Sequence, residues 1–507
     1  MLTTLQSWVL NIFEKHRFLF ILIFITFLIR LPSLFEPFWY GDEAIYLVIG
    51  QKILRGGLLY VDIFDHKTPG IYYLAAATIA FLGQTIWSFR FLLMVWTLTA
   101  LVVFFFLSKK LFDEKIARLA TIFLAALTST PLLEGNIGNS EILMMLPISL
   151  GLIYGLNKKF FWSGVFFSLS FLLKFPAIFD FGAFFIFLTL GANRKNVFPT
   201  IKNLFSLTAG YLLPIALSVI YFAWNGALSA YLFSALLFNF AYTNYGNKLI
   251  LAGVNVPNGL ILLKATPLFA LVIYLFLRLY KNFKSRSART SVNYLEFIIL
   301  WLSFSYFGAV FGGRPYPHYL IQALPAFAIL LAIGVTKVKR HPLALGLSTF
   351  FVVLTLILGF KPYIRPNYYP NFFRYLLPKQ LGQISTEDYM NSFDSKIARN
   401  YSLAGFVETR TTSADNVYIW GNSPVIYFLS RRDPTSKYIT AFHVAGSQLF
   451  KKEVIASINT RHPKYILVES SSPKFAELDN VLARSYNLFA QTDDVKIYQR
   501  LGVFTAD

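Results

Sequence analysis

The chain has 507 residues, of which 56% are hydrophobic, 18% aromatic and only 14% charged, and its mean hydropathy is +0.55. A soluble domain is about a quarter charged, so this composition argues against an ordinary water-soluble protein and for one dissolved largely in lipid. The net charge of +21 sits in short breaks between apolar runs, the positive-inside pattern, rather than on one soluble face as a nucleic-acid binder requires. With no cysteine, disulfides and thiolate metal sites are excluded.

In chain order, Lys15, His16 and Arg17 precede an apolar run that continues to Phe35. Arg30 and Pro32 stand where a small-residue cleavage site would be needed, so the run reads as an uncleaved first span. A spanning helix needs about 20 mostly apolar residues. Candidates lie near 17–35, 87–107, 116–133, 141–156, 160–174, 176–190, 204–224, 258–280, 294–311, 319–336 and 342–360. The breaks holding Lys109–Lys110, Lys158–Lys159, Arg194–Lys195, Lys281 to Arg289 and Lys337 to Arg340 are basic, which makes them and the N-terminus cytoplasmic. The alternate breaks at 35–86, 132–140, 225–257 and 312–318 then face outward, as does everything after residue 360.

The expected fold is therefore an α-helical polytopic membrane protein of about 11 transmembrane helices with a small C-terminal α/β extracytoplasmic domain. The division falls at 1–360 and 361–507. In the loop 35–86, residues 43–54 carry apolar side chains at helical spacing beside Gln51 and Lys52, as an interfacial helix would. Residues 69–83 open with Pro and close with Gly, a second helix too short to span. Residues 361–374 mix Pro, aromatic and basic residues suited to the headgroup region. Beyond them, strands are expected at 417–421, 464–469 and 495–500, and helices near 447–460 and 475–486.

The chemistry-bearing residues gather in the outward breaks. Asp42 and Glu43 open a helix, where acids satisfy free amides and oppose the macrodipole or, alternatively, supply a general base at the membrane surface. Asp65-His66-Lys67-Thr68-Pro69 joins an acid, a proton carrier and a point charge for phosphate before a Pro helix start. Glu141 begins a span after Asn139 and Ser140. Arg314 and His318, beside Gly312, Gly313 and Tyr319, suit an anion. Lys174 and Asp180 flank an apparent outward turn, where snorkelling explains them as well as function does.

With these segments in view, the chain resembles the GT-C membrane glycosyltransferases, more narrowly the bacterial proteins similar to dolichyl-phosphate-mannose protein mannosyltransferases and lipid A aminoarabinose transferases. Asp42-Glu43, Asp65 to Pro69, Asn139 to Glu141, Arg314 to Tyr319, and Trp420 to Pro424 followed by Tyr427 carry the resemblance. One departure is plain: His66 and Thr68-Pro69 replace parts of the usual Asp-Lys-Pro-Pro, which alters the setting of Lys67. The resemblance implies inverting transfer of a sugar from a polyprenyl-phosphate donor in the plasma (inner) membrane to an extracytoplasmic protein, lipid or glycan. It implies Asp42 as base, with Glu43 beside it. Lys67, Arg314 and His318 would meet the phosphate. Asp65, His66, Glu141 and Tyr319 would orient the base or acceptor. A divalent cation, Mg²⁺ or Mn²⁺, would suit Asp42, Glu43, Glu141 and the outward histidines. A transporter or flippase of lipid-linked sugars is the alternative, disfavoured because polar residues cluster at one membrane face and no internal repeat is visible.

Overall fold

A computed structural model describes residues 2–129, 133–193, 195–251, 254–256, 258–284, 293–314, 316–336, 346, 372–492 and 494–502. Apart from residue 346, the expected span 342–360 lies outside the described residues, as do the basic break Lys337 to Arg340, residues 285–289 of the break Lys281 to Arg289, Arg194 and most of 361–374. Every other expected span meets a helix. Six helices are long and apolar enough to cross a membrane: Glu14–Phe35, Ile86–Leu111, Val197–Trp224, Gly259–Lys281, Tyr294–Phe311 and Pro317–Thr336. Ser140–Leu156, Phe160–Leu173 and Phe175–Leu190 are shorter apolar helices, and Glu114–Ser129 has 16 residues. The protein is a membrane protein with a small C-terminal sheet domain.

The chain folds as two compact units. The first comprises Met1–Leu34, Arg90–Tyr221 and Asn239–Tyr368, and the second Phe35–Phe89, Phe222–Phe238 and Tyr369–Asp507.

In the first unit, helices pack in the manner expected where lipid offers no hydrophobic driving force, through small residues and polar contacts. A Cβ on Gly164 would lie 2.0 Å from the Leu207 carbonyl oxygen, and one on Gly210 would lie 1.9 Å from that of Phe161. The helices Phe160–Leu173 and Val197–Trp224 thus meet backbone to backbone. Glu114–Ser129 buries Ile116, Ala117, Ala120, Thr121, Leu124 and Ala125, a stripe at helical spacing. Buried Arg30 donates to the carbonyls of Thr128 and Gly135, both at 2.9 Å, so this intramembrane cation is paired with backbone, as its cost demands. Asp180 accepts from Trp301 and Gln322, each at 2.7 Å. The stretch 225–257, expected as an open break, holds the helix Phe238–Gly246 and a short ladder in which β1 (Leu249–Leu251) pairs antiparallel with β2 (Val254–Val256).

In the second unit, Gly41–Leu54 and Gly70–Leu82 form helices as expected. The first is not amphipathic, however: residues 43 to 51 are buried consecutively, rather than along one stripe as an interfacial helix requires. Its close fit to the second helix is set by Gly50, where a Cβ would stand 2.7 Å from the Ala76 nitrogen. Gly50→Val should therefore cost about 1–3 kcal/mol through overpacking, read as a lower melting temperature of the detergent-solubilised protein. The same helix is tied to the C-terminal residues through Asp433, which meets Lys52 Nζ and Arg55 Nη1 at 2.7 Å each.

The C-terminal sheet has the order β3 (Val417–Trp420), β4 (Tyr465–Glu469), β6 (Val495–Arg500), β5 (Tyr486–Gln491), with β3 and β4 parallel and the remaining pairs antiparallel. Three strands and the helices Gln448–Arg461 and Ala476–Ser485 fall where the sequence places them. Strand β5 is additional; it follows helix 476–485 with no turn residue to announce it. The Trp420 to Tyr427 stretch is a structural hub. Tyr427 Oη accepts from the Ile419 N–H at 2.8 Å, Asn422 Oδ1 accepts from the Phe442 N–H at 3.0 Å, and a Cβ on Gly421 would meet Glu469 Cγ at 2.6 Å.

Candidate active site

Two clusters of polar side chains hold the expected site residues, one in each unit. In the second unit the helix Gly41–Leu54 presents Asp42 in its first turn with 37% of its side chain exposed, while Glu43 is fully buried. The segment after this helix turns sharply: Tyr60 adopts a left-handed φ of 70°, Tyr60 N–H donates to the Ile63 carbonyl at 2.8 Å, and Leu58 N–H donates to Asp62 at 2.7 Å. The turn delivers Asp65, His66 and Lys67 immediately before the helix that starts at Gly70.

Lys67 is the centre of this cluster. Its Nζ lies 3.3 Å from Asp42 Oδ2, 3.6 Å from Asp65 Oδ2 and 5.1 Å from the centre of the Tyr46 ring. Its backbone is fixed at both ends, with the carbonyl accepting from Tyr60 Oη at 2.7 Å and the N–H donating to Tyr72 Oη at 3.2 Å. Tyr72 Oη in turn donates to Asp65 Oδ2 at 2.6 Å. Burial favours the neutral form of Asp65, but the Lys67 ammonium, the His66 ring and hydrogen bonds from His443 and His66 outweigh it and hold the carboxyl well below its ordinary range. Burial pushes the His66 ring the other way from its neighbour's pull, and its pKa lies below the ordinary histidine value. The result is a buried anion, Asp65, holding a cation, Lys67, against a more exposed carboxylate, Asp42.

The first unit places Glu141, Arg314, His318 and Tyr319. Asn139 caps the helix Ser140–Leu156 by accepting from the Ile142 N–H at 3.1 Å, and Glu141 behind it is ion-paired with Lys174. Lys174 Nζ also sits 4.0 Å from the centre of the Tyr319 ring. His318 Nδ1 is 2.8 Å from Glu134 Oε2 and its ring stacks with Tyr316. The Arg314 guanidinium lies over the Tyr242 ring at 5.0 Å. Sequence reasoning assigns no role to Glu134, Tyr46, Tyr60, Tyr72 or His443, and leaves Lys174 undecided. None of them stands in a motif; only Lys174, a lysine inside an apolar run, gives a signal of its own. Among the described residues, the His, Asp and Glu side chains that converge closely enough to hold a metal are Asp65, His66 and His443, not a set built from Asp42, Glu43 and Glu141.

Residues 66–222 match the family model described as dolichyl-phosphate-mannose-protein mannosyltransferase, a match that takes in His66 to Pro69 and begins after Asp42. Residues 398–501 match the C-terminal domain model named for the competence-induced protein Ccs4. The chain superposes on ArnT from Cupriavidus metallidurans in the apo state with a TM-score of 0.56 at 13% identity, covering 98% of each chain. On the same protein bound to undecaprenyl phosphate the TM-score is 0.55 at 12% identity, over 94% of this chain and 97% of that one. The chain has a GT-C fold of the ArnT type. An oligosaccharyltransferase from Archaeoglobus fulgidus matches more loosely, with a TM-score of 0.46 at 14% identity over 90% of this chain and 70% of that one. No curated protein sequence matches. The likeness to ArnT thus holds at the level of fold across nearly the whole chain, and the likeness to the dolichyl-phosphate-mannose-protein mannosyltransferases at the level of sequence over the segment that contains Lys67.

Proposed function

We propose that the chain is a glycosyltransferase that moves a sugar from a polyprenyl-phosphate donor to an acceptor outside the cytoplasm, with inversion at the anomeric carbon. The observation that carries this reading is Lys67, held 3.3 Å from Asp42 and 3.6 Å from Asp65. A lipid-borne phosphate competes with the carboxylates for that ammonium. Binding it frees Asp42 to take the proton of an acceptor hydroxyl as the oxygen attacks C1, while Lys67 stabilises the departing phosphate. ArnT from Cupriavidus metallidurans has been crystallised bound to undecaprenyl phosphate, and the family matching residues 66–222 is named for a dolichyl-phosphate sugar; both favour a polyprenyl carrier.

Roles for the remaining residues follow their chemistry. Glu43 sits beside the base, Asp65 holds Lys67 in place, and His66 braces Asp65. Arg314 and His318 are partners for phosphate, and Glu141 and Tyr319 orient through Lys174. Residues 361–507 form the extracytoplasmic domain and select the acceptor, the N-terminus is cytoplasmic, and the host membrane is the plasma (inner) membrane. A hexose and a pentose donor are equally compatible with this set of side chains.

The test is reconstitution of the purified protein in liposomes with a polyprenyl-phosphate sugar labelled in the sugar and with membrane-extracted acceptors. Covalent transfer with release of polyprenyl monophosphate is expected. Movement of the intact lipid-linked sugar between leaflets with no covalent product would instead establish the flippase reading, and transfer from a nucleotide sugar alone would exclude the lipid donor.

A further inference from the structure

We infer that Asp65, His66 and His443 form a binding site for one divalent transition-metal ion of the zinc type. Asp65 Oδ1, His66 Nδ1 and His443 Nε2 make a compact triangle: 2.9 Å between Asp65 and His66, 3.3 Å between His443 and Asp65, and 3.3 Å between the two rings. An ion bound tetrahedrally at about 2.0–2.1 Å holds its ligand atoms roughly 3.3 Å apart, so an ion just off the plane of this triangle reaches all three with little adjustment. His66 and His443 are 377 residues apart in sequence, and all three side chains are buried, Asp65, His66 and His443 at 0, 8 and 5% exposure.

The surroundings orient each ligand. His443 Nδ1 is 2.9 Å from Thr440 Oγ1; with the ring donating there, Nε2 keeps its lone pair for the centre. Asp65 directs Oδ2 to Tyr72 Oη at 2.6 Å and to Lys67, while Oδ1, which accepts from the His66 backbone N–H at 2.8 Å, faces the two imidazoles. Such outer partners are what fix the tautomer and aim of metal ligands. The rings of Phe64 and Phe238 stand 5.3 and 6.3 Å from that of His443, and Phe238 is 5.8 Å from His66, which lines the site with apolar surface. The competing arrangement is purely hydrogen-bonded, each ring donating one N–H to Asp65 Oδ1, and the two arrangements differ in whether an ion is retained.

Donor chemistry selects the metal. Two imidazoles and one carboxylate suit zinc, with copper, iron or nickel as competitors, rather than magnesium or calcium. Three protein ligands leave a fourth position for water or another oxygen. The ion would join the segment preceding Lys67 to the helix Ala441–Val444, residues of one compact unit, and so fix the backbone that carries Lys67. This inference does not depend on the transferase reading.

The test uses the full-length protein in detergent, stripped with a chelator, desalted and reloaded with zinc or cobalt. Elemental analysis should find about one zinc per chain surviving a second desalting, cobalt should give the intense visible absorption of a four-coordinate ion, and zinc should raise the melting temperature. His443→Ala and Asp65→Asn should lose the metal and the cobalt spectrum while keeping the wild-type circular dichroism. The stripped wild type reports the same effects should either variant fail to fold. A wild-type protein that retains no zinc after desalting, or whose cobalt spectrum and melting temperature match those of His443→Ala, would overturn the site.

Discussion

Asp42→Asn is expected to lower sugar transfer by about 10²–10⁴-fold, the usual contribution of a general base, while leaving the protein folded. Asparagine keeps the shape of the side chain but cannot take the acceptor's proton. Structural damage should be small, because the Asp42 carboxylate is 37% exposed and an ion pair at that exposure is worth about 0–1 kcal/mol. The substitution also removes one of the two carboxylates that hold Lys67. Binding of polyprenyl phosphate should therefore be undiminished or tighter in the variant, measured by isothermal titration or by thermal shift against polyprenyl phosphate. Loss of turnover with retained binding is the pattern a base predicts. Equal loss of both would assign Asp42 to donor binding instead.

Lys67→Met is the second large effect. It removes the cation proposed to face the departing phosphate, and a single electrostatic donor of that kind is worth about 10²–10³ in turnover. It also leaves Asp42 and Asp65 without the ammonium between them, so the vacated position repels an anionic donor. Turnover should fall and the apparent KM for the lipid donor should rise together. Lys67→Arg keeps the charge but presents a planar fork on a backbone pinned by Tyr60 and Tyr72. It should recover only part of the activity, since the two cations differ in shape and hydration. Kinetics of both variants in the reconstituted assay, with circular dichroism to verify folding, check the prediction.

Much of the fold is legible because its signals are local. A membrane span is announced by its own run of apolar residues, and the sequence places every described span on a helix. The strand segments VYIW, YILVE and VKIYQR alternate or run apolar between turn residues, and they form strands. Strand β5 reads YNLFAQ and lacks such a frame, so the preceding helix pattern hides it. The burial of Gly41–Leu54 is not legible, because its polar residues Gln51 and Lys52 suggest a wet face. In the structure Lys52 is paired with Asp433, and Gln51 bonds to Gln84 at 2.6 Å. These partners are distant in sequence and invisible to periodicity.

The site divides the same way. Asp42-Glu43 and Asp65-His66-Lys67 are short polar segments standing out from the apolar residues around them, and that contrast marks them. His443 lies in TAFHVAG, where a single histidine among small and apolar residues carries no pattern. Its meaning comes only from the fold that sets it against Asp65 and His66. Glu134 is hidden likewise: its left-handed backbone and its contact with His318 follow from tertiary packing alone.

The central claim is that the Asp42–Lys67 pair faces the outer side of the membrane and receives a lipid-borne phosphate. The chain contains no cysteine, so one introduced thiol reports on one place without background. Gly41 is exposed, and a Cβ there meets nothing within 4 Å, which makes Gly41→Cys a mild probe beside Asp42. In intact cells a membrane-impermeant maleimide should label Gly41→Cys, and polyprenyl phosphate added to reconstituted protein should slow that labelling. Labelling only after the membrane is opened from the cytoplasmic side, or at a rate indifferent to polyprenyl phosphate, would contradict the account.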